Sequence, residues 1–264
     1  MITIKLKIMA NQTLIEKDQK YPVRFRLSDQ DTDWNLEVDY YNPPYYPDFD
    51  LLAERLAAKG VEVPDIKTLS AVAKLSTAQA AEIVGPAIVD IRHPLGRTGI
   101  NGSGIYYNAG KSQTADLAVI REIPNKGRQI ALVFNRSKWR LPGGFMDPED
   151  YGNHRRTALR EGYEEINLDL ANLSENGHFN TLIPEHIKPN SSRSADLGYL
   201  TTQVEVVVLP VPEIGDDLKA GDDAEDAAWV YELDALELGR DRKISKDHYQ
   251  YITQVFEFAK SSEN

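Results

Sequence analysis

The sequence predicts an α/β layered domain from about residue 112 onward, preceded by a smaller β-containing domain over 1–111. Three observations predict it. The later half sets strand-like apolar runs on either side of one central helix and closes on another helix; the first part holds short alternating segments; a glycine-rich stretch from His93 to Gly110 parts the two.

Taken in order, Ile2 to Ile8, Tyr21 to Leu27 and Leu36 to Tyr41 alternate with a period of two and read as strands. Asp50 to Lys59 has apolar residues at helical spacing, with Gly60 as a stop. Ser76 to Val84 reads as a second short helix ending at Gly85-Pro86. From His93 to Gly110, glycines at 96, 99, 102, 104 and 110 exclude a regular element. Strands follow at Leu117 to Ile123 and Gln129 to Asn135, then a turn over Trp139 to Gly144 and a helix from about Asn153 to Glu165. Thr202 to Leu209 is a strong strand, an acidic loop surrounds Gly221, Ala228 to Tyr231 is a last strand, and a helix runs from roughly Ser245 to Lys260.

Composition narrows the chemistry. No cysteine is present among the 264 residues, which excludes disulfides, thiolate zinc sites and a cysteine nucleophile. Any metal must sit on oxygen or histidine. The formal charge of -11 argues against a broad footprint on nucleic acid or anionic lipid, yet it suits an enzyme whose carboxylates reach a phosphate through divalent cations. With no run of eighteen apolar residues and an alternating start, a cytoplasmic location is expected.

The most informative segment joins Gly143-Gly144 to Arg160-Glu161-Gly162-Tyr163-Glu164-Glu165. On a helix Glu161, Glu164 and Glu165 fall on one face, where three like charges repel unless a cation binds among them. Hard oxygen ligands of this kind suit Mg2+, with Mn2+ as an alternative. The plainer alternative is a solvated acidic face. Gly143 and Gly144 let the backbone bend close to a ligand and aim a carbonyl at the metal, and Arg160 can pair with a nearby carboxylate to hold the loop against the helix.

These residues together resemble the Nudix box, in which a glycine and a glutamate lead to Arg-Glu, an apolar residue, any residue, Glu-Glu and a closing Gly. Asp150 stands for the first Glu, two extra residues precede Arg160, Gly162 replaces the apolar residue and Asn167 the final Gly. The extra residues should bulge outward, Asn167 can still end the helix in a left-handed conformation, and Tyr163 or another aromatic is expected to cover Gly162.

A second resemblance covers residues 39–255 and narrows the branch. Tyr41-Asn42-Pro43-Pro44-Tyr45, the run from His93 to Gly104, Ala115-Asp116, and Ala220 to Ala224 followed by Trp229-Val230 look like segments of the mitochondrial ADP-ribose pyrophosphatases and the Nudix-like domain of the ADP-ribose-gated melastatin channels. The resemblance implies an N-terminal domain (1–111) and a Nudix domain (112–264), with substrate near the cleft between them. It implies Mg2+-dependent hydrolysis of ADP-ribose to AMP and ribose 5-phosphate. Glu161, Glu164 and Glu165 are then the catalytic and metal-binding acids, with Arg160 beside them and Gly143 lending a carbonyl.

Arg97, Thr98 and Gly99 offer a cation, a hydroxyl and backbone N–H groups to a phosphate or ribose, and Asp222 and Asp223 offer carboxylates to ribose hydroxyls or to the attacking water. Tyr40, Tyr41, Tyr45 and Tyr46 suit either adenine stacking or an inter-domain seal, and His248 matches a family histidine. Two rival readings remain: a non-catalytic ADP-ribose sensor, and a hydrolase of a related compound such as NADH or ADP-glucose. The oligomeric state is not legible.

Overall fold

The computed structural model describes residues 22–46, 65–104, 109–170, 179–188, 194–209 and 218–261, with isolated positions between 53 and 62. The strand expected at Ile2 to Ile8 lies outside the described residues. The chain forms two units: Met1–Lys111 with Pro189–Tyr199, and Ser112–Lys188 with Leu200–Asn264. Unlike the expected single cut, a segment of the later half thus belongs to the first unit.

In the first unit, α1 (Ile66–Val72), α2 (Thr77–Val84) and α3 (Pro86–Asp90) are the helices whose bounds are defined. Ser76 and Gln79 form a capping box at the start of α2, and Gly85 closes it with φ 79°, a left-handed value that glycine accepts without strain. Extended pairing among the described residues is confined to the starts of two strands and to bridges such as Tyr45 with Asn101. The segments expected as strands at Tyr21 to Leu27 and Leu36 to Tyr41 form no ladder where they are described. Phe25 and Gly99 instead make a single N–H to carbonyl bond at 2.8 Å, and Tyr41 N–H turns back to Val38. A period of two was present, but the buried side chains Val38 and Tyr41 are presented by a turn.

The second unit is an α/β/α sandwich around a mixed sheet. Its elements are β1 (Gly110–Ile123), β2 (Gly127–Asn135), β3 (Lys138–Arg140), β4 (Gly143–Phe145), α4 (His154–Ile166), β5 (Phe179–Ile187), β6 (Gly198–Leu209), β7 (Asp226–Tyr231), α5 (Glu232–Arg240) and α6 (Lys246–Ser261). Strand order is β3-β2-β1-β6-β5, with β4 beside β1 and β7 beside β2. Where a turn was expected over Trp139 to Gly144, two short strands flank Leu141-Pro142.

Burial on both faces makes the central strands read as continuous apolar runs, and successive residues serve opposite layers. Ala118, Ile120, Ile130, Leu132, Val204 and Val206 pack with Ile252, Val255 and Phe256 of α6. Leu117, Val119, Ala131, Val133 and Val207 pack with Ala158 and Ile166 of α4. No helix among the described residues is long and apolar enough to cross a membrane.

Candidate active site

Helix α4 carries the three acids. Asn153 caps its start, its side chain accepting from the N–H groups of Arg155 and Arg156, and Asn167 ends it at φ 54°. In the loop from Tyr151 to Arg156, which takes up the two extra residues, Tyr151 and Gly152 stand at φ 53° and 73° and the Tyr151 side chain is 80% exposed, so the loop projects outward at its start.

Gly162 is explained by close packing of α4 on β1. A Cβ built there would lie 2.5 Å from Cδ2 of Leu117, so Leu117 fills the space an apolar side chain would take. The expectation that an aromatic covers Gly162 is corrected: Tyr163 is 58% exposed.

Arg160 ties the loop to the helix. Its guanidinium donates to Asp150 Oδ2 at 3.0 Å, to the Phe145 carbonyl at 2.7 Å, to Glu161 Oε1 at 2.7 Å and to Glu164 Oε2 at 2.9 Å. Asp150 also accepts from the Asp147 N–H and the Thr157 hydroxyl. Burial works against the Asp150 carboxylate, but Arg160, Asp147 and Thr157 hold it below the usual carboxylate range. Asp at the first acid position therefore anchors the loop despite its shorter reach.

The Gly143-Gly144 strand lies directly over the acids. Gly143 N–H donates to Glu165 Oε2 at 2.8 Å. A Cβ at Gly144 would fall 2.6–2.7 Å from the carboxylate atoms of Glu161, so only glycine leaves room for that group. Glu161 and Glu165 are 8% and 6% exposed. Burial pushes Glu161 up to about 7, against the pull of Arg160 and with added repulsion from Glu164 and Asp147. Burial likewise pushes Glu165 up to about 8, opposed by the Gly143 N–H and reinforced by Glu161 and Asp223. A divalent ion among these oxygens would relieve both burial and repulsion.

The donors are hard carboxylate oxygens, the kind such an ion takes. One oxygen each of Glu161, Glu164 and Glu165 takes no hydrogen bond among the described residues, and the glycine strand leaves the cradle open. No three acidic or histidine side chains among the described residues already converge as a metal cage. Arg160 holds the other oxygens of Glu161 and Glu164.

Asp222 and Asp223 are exposed residues of a loop docked on the end of α4. Gly221 N–H donates to the Glu165 carbonyl at 3.1 Å, and a Cβ on Gly221 would lie 2.4 Å from the Glu164 carbonyl. Asn135 Nδ2 fixes the same loop through the Asp223 carbonyl at 2.9 Å. Sequence reasoning assigned no role to Asp116, a buried acid inside the apolar run of β1, although an ionisable residue in such a run was the available signal. It accepts from the Thr202 hydroxyl at 2.9 Å and sits 3.7 Å from Lys188 Nζ. Burial opposes its charge, but Lys188 and the Thr202 hydroxyl favour it, and Asp116 is held below the usual range. His248 accepts the Leu141 N–H through Nδ1 at 3.1 Å, and burial pushes its imidazole down to about 4.

The Gly-Arg-Thr-Gly loop belongs to the first unit and is bonded within it. Arg97 is 4% exposed, and its guanidinium donates to the carbonyls of Asp31, Asp33, Leu36, Ala73, Lys74 and Leu75 while lying over the Trp34 ring. Arg97, expected to meet a phosphate, has its donors committed to main-chain carbonyls. Thr98 donates through N–H and hydroxyl to Asp196 Oδ1 at 2.8 and 3.0 Å, and Gly99 N–H donates to the Tyr41 hydroxyl at 3.0 Å. Gly99 is required by contact as well as by φ 84°: a Cβ would lie 2.3 Å from the Phe25 carbonyl. These groups, expected to face substrate, hold the loop together instead.

Asp196 is the organiser that sequence reasoning missed; burial pushes it up to about 6 despite Thr98, Tyr41 and Arg97. Asp196→Ala would strand three donors and leave buried arginine charge uncompensated, a loss of about 3–5 kcal/mol in the first unit. Chemical denaturation checks this, and an unchanged midpoint would remove Asp196 as the organiser.

The NUDIX domain model matches residues 113–254. A Caenorhabditis elegans protein provisionally named nudix hydrolase 6 is 25% identical over 162 residues, which is 58% of this chain. The chain spans 61% of the length of that relative. Among solved structures, the NUDIX domain of Shewanella oneidensis NrtR complexed with ADP ribose has a TM-score of 0.44 at 21% identity, covering 56% of this chain and 88% of that one. A NUDIX hydrolase from Alicyclobacillus acidocaldarius has a TM-score of 0.45 at 18% identity, covering 55% and 90%. A bifunctional NMN adenylyltransferase/ADP ribose pyrophosphatase from Francisella tularensis, complexed with AMP and a Mn ion, has a TM-score of 0.43 at 25% identity, covering 56% and 42%. With the domain model spanning more than half of its length, the chain belongs to the Nudix family.

Proposed function

We propose that this chain hydrolyses the diphosphate of ADP-ribose, giving AMP and ribose 5-phosphate, with Mg2+ as its metal and Mn2+ able to replace it. The observation that carries the hydrolase reading is the pair of buried glutamates, Glu161 and Glu165, beneath the Gly143-Gly144 strand. Support for ADP-ribose within the class comes from the segments that resemble the ADP-ribose pyrophosphatases, above all Ala220 to Ala224 docked on the end of α4.

In this reading Glu161, Glu164, Glu165 and the Gly143 carbonyl hold the ion, which when bound neutralises charge building on the phosphate oxygens. A water oxygen attacks one phosphorus, the bond from that phosphorus to the bridging oxygen breaks, and a carboxylate takes the water proton. Glu161 and Glu165, the two buried carboxylates beneath the glycine strand, are the candidates for that base, since a base must lie within hydrogen-bond reach of the water it deprotonates. Arg160 keeps Asp150 and the Phe145 carbonyl in place so that the glycine strand stays over the acids. Asp222 and Asp223, exposed in the loop docked on the end of α4, would meet ribose hydroxyls or the attacking water. We assign a small nucleotide as the partner, since the charge of -11 disfavours nucleic acid and anionic membranes.

Incubation with ADP-ribose and Mg2+, followed by chromatography, should yield equal amounts of AMP and ribose 5-phosphate. Binding of ADP-ribose without products would make the protein a sensor. Faster cleavage of NADH or ADP-glucose would keep the hydrolase and displace the substrate.

A further inference from the structure

Three consecutive residues that lead into the glycine strand are held by three different elements. Leu141 N–H donates to His248 Nδ1 of α6 at 3.1 Å, the Pro142 carbonyl accepts from Leu117 N–H of β1 at 2.8 Å, and Gly143 N–H donates to Glu165 of α4 at 2.8 Å. Leu141 is fully buried and follows the end of β3, so its N–H has no ladder partner there. His248 therefore supplies an acceptor that the sheet does not. A ring nitrogen that accepts an N–H is unprotonated, so the other nitrogen carries the hydrogen of the neutral ring. Tyr251 packs edge-on against the same ring, with centroids 5.9 Å apart, and fixes its plane.

We propose that His248 is a positioning residue of the metal site, acting through the Leu141 N–H on the main-chain carbonyl of Gly143. This rests on the reading that Gly143 lends its carbonyl to the ion. Without the bond to Nδ1, the Leu141-Pro142-Gly143 segment keeps its attachments to β1 and α4 but loses the one to α6. With one of its three attachments gone, the main chain of Gly143, which meets Glu165 through its N–H, is held less firmly against α4, and the carbonyl it would lend to the ion is less well fixed. His248 belongs to α6, far along the chain from the glycine strand, and no spacing rule would connect the two.

The test uses binding of Mn2+ alone, followed by the electron paramagnetic resonance of free Mn2+, together with the Mg2+ dependence and substrate KM of ADP-ribose cleavage. His248→Leu removes the acceptor and should weaken Mn2+ binding about 10–100-fold, with the same shift in the Mg2+ needed for half-maximal rate and an unchanged KM at saturating metal. His248→Asn places its Oδ1 near the former Nδ1 and should restore Mn2+ binding to within about threefold of the parent, since the recovered bond is the one that matters. His248→Gln moves its acceptor away from Leu141 and should behave like His248→Leu; it carries the same expectation if His248→Leu does not fold. Parental Mn2+ affinity in a folded His248→Leu or His248→Gln protein overturns the proposal, as does an Asn variant no better than Leu. If the parent itself binds no Mn2+, the metal-site reading has failed first, which the parental titration alone reveals.

Discussion

Glu165→Gln is expected to lower ADP-ribose hydrolysis about 10²–10⁴-fold while raising the melting temperature of the metal-free protein at pH 9. The two effects have one source. Glu165 is buried, its carboxyl is pushed up to about 8 by that burial, and Glu161 and Asp223 add repulsion. Ionising it in the folded state without a counter-ion is unfavourable, whereas Gln is neutral and can still accept the Gly143 N–H. Such a gain of stability with a loss of activity marks a functional site and separates this variant from one that merely damages the fold.

The sign follows from the direction of the shift. A carboxyl whose folded pKa lies above its unfolded value contributes stability that is complete below the unfolded value and is lost as pH rises through the folded one. For Glu165 that window runs from its ordinary value of 4.5 to about 8, and Glu161 adds a similar window ending near about 7. The metal-free parent should therefore lose melting temperature relative to Glu165→Gln as pH climbs from about 5 to about 9, and the two curves should approach each other in acid. Adding Mg2+ at pH 8 should raise the parent and leave the variant nearly unmoved, because an ion that binds only the folded state stabilises it by mass action. Calorimetry across pH, with and without Mg2+, measures all of this. Equal Mg2+ stabilisation of both proteins, or turnover by the variant at the parental rate, would exclude Glu165 from the metal site.

The readability of this chain depended on how local each signal was. Helix α4 was legible to within a residue because Asn153 and Asn167 act within one turn of it and its acids repeat at helical spacing. The central strands were legible because burial on two faces leaves an unbroken apolar run. Strand β5 was missed: Pro184 interrupts it, and its pairing with β6 shifts register on both sides of Ile183. A proline is tolerated there because β5 is an edge strand. The glycine-rich loop misled for a different reason. Gly96, Gly99 and Gly102 look like a flexible phosphate cradle, but each lies where a Cβ would come within 2.3–2.4 Å of a carbonyl oxygen of Thr32, Phe25 or Tyr46. Glycine permits close approach of any group, and composition alone does not say whether that group is a ligand or another stretch of backbone. Arg97 followed the same logic, since carbonyls from Asp31 to Leu75 supply the acceptors that a phosphate would have supplied.

Gly162 tests whether a departure from the Nudix box is a weakness or an adaptation. Restoring an apolar residue with Gly162→Leu should destabilise the second unit by about 1–3 kcal/mol, although Leu favours helix over Gly by up to about 1 kcal/mol. The opposing contribution is steric: the new Cβ would start 2.5 Å from Leu117 Cδ2, and Leu117 is fully buried in the layer between β1 and α4. Neither side chain has room, so α4 must move away from β1. Glu161 and Glu165 stand on the same helix, and Glu165 is bonded to Gly143 across that contact. The displacement should therefore lower turnover as well as the melting temperature, by about 2–4 °C for each kcal/mol in a chain of this size. Leu117→Ala alone should also destabilise, by about 2–5 kcal/mol, through the cavity it leaves. Combined, the changes exchange a side chain from strand to helix and restore the packed volume, so the double variant should be more stable than the sum of the single effects by about 1–3 kcal/mol. Strict additivity would show that Leu117 does not occupy the place of the missing side chain. A more stable Gly162→Leu would show that the helix was underpacked. Recovery of both stability and turnover in the double variant would show that this chain fills the box position from β1 instead of from α4.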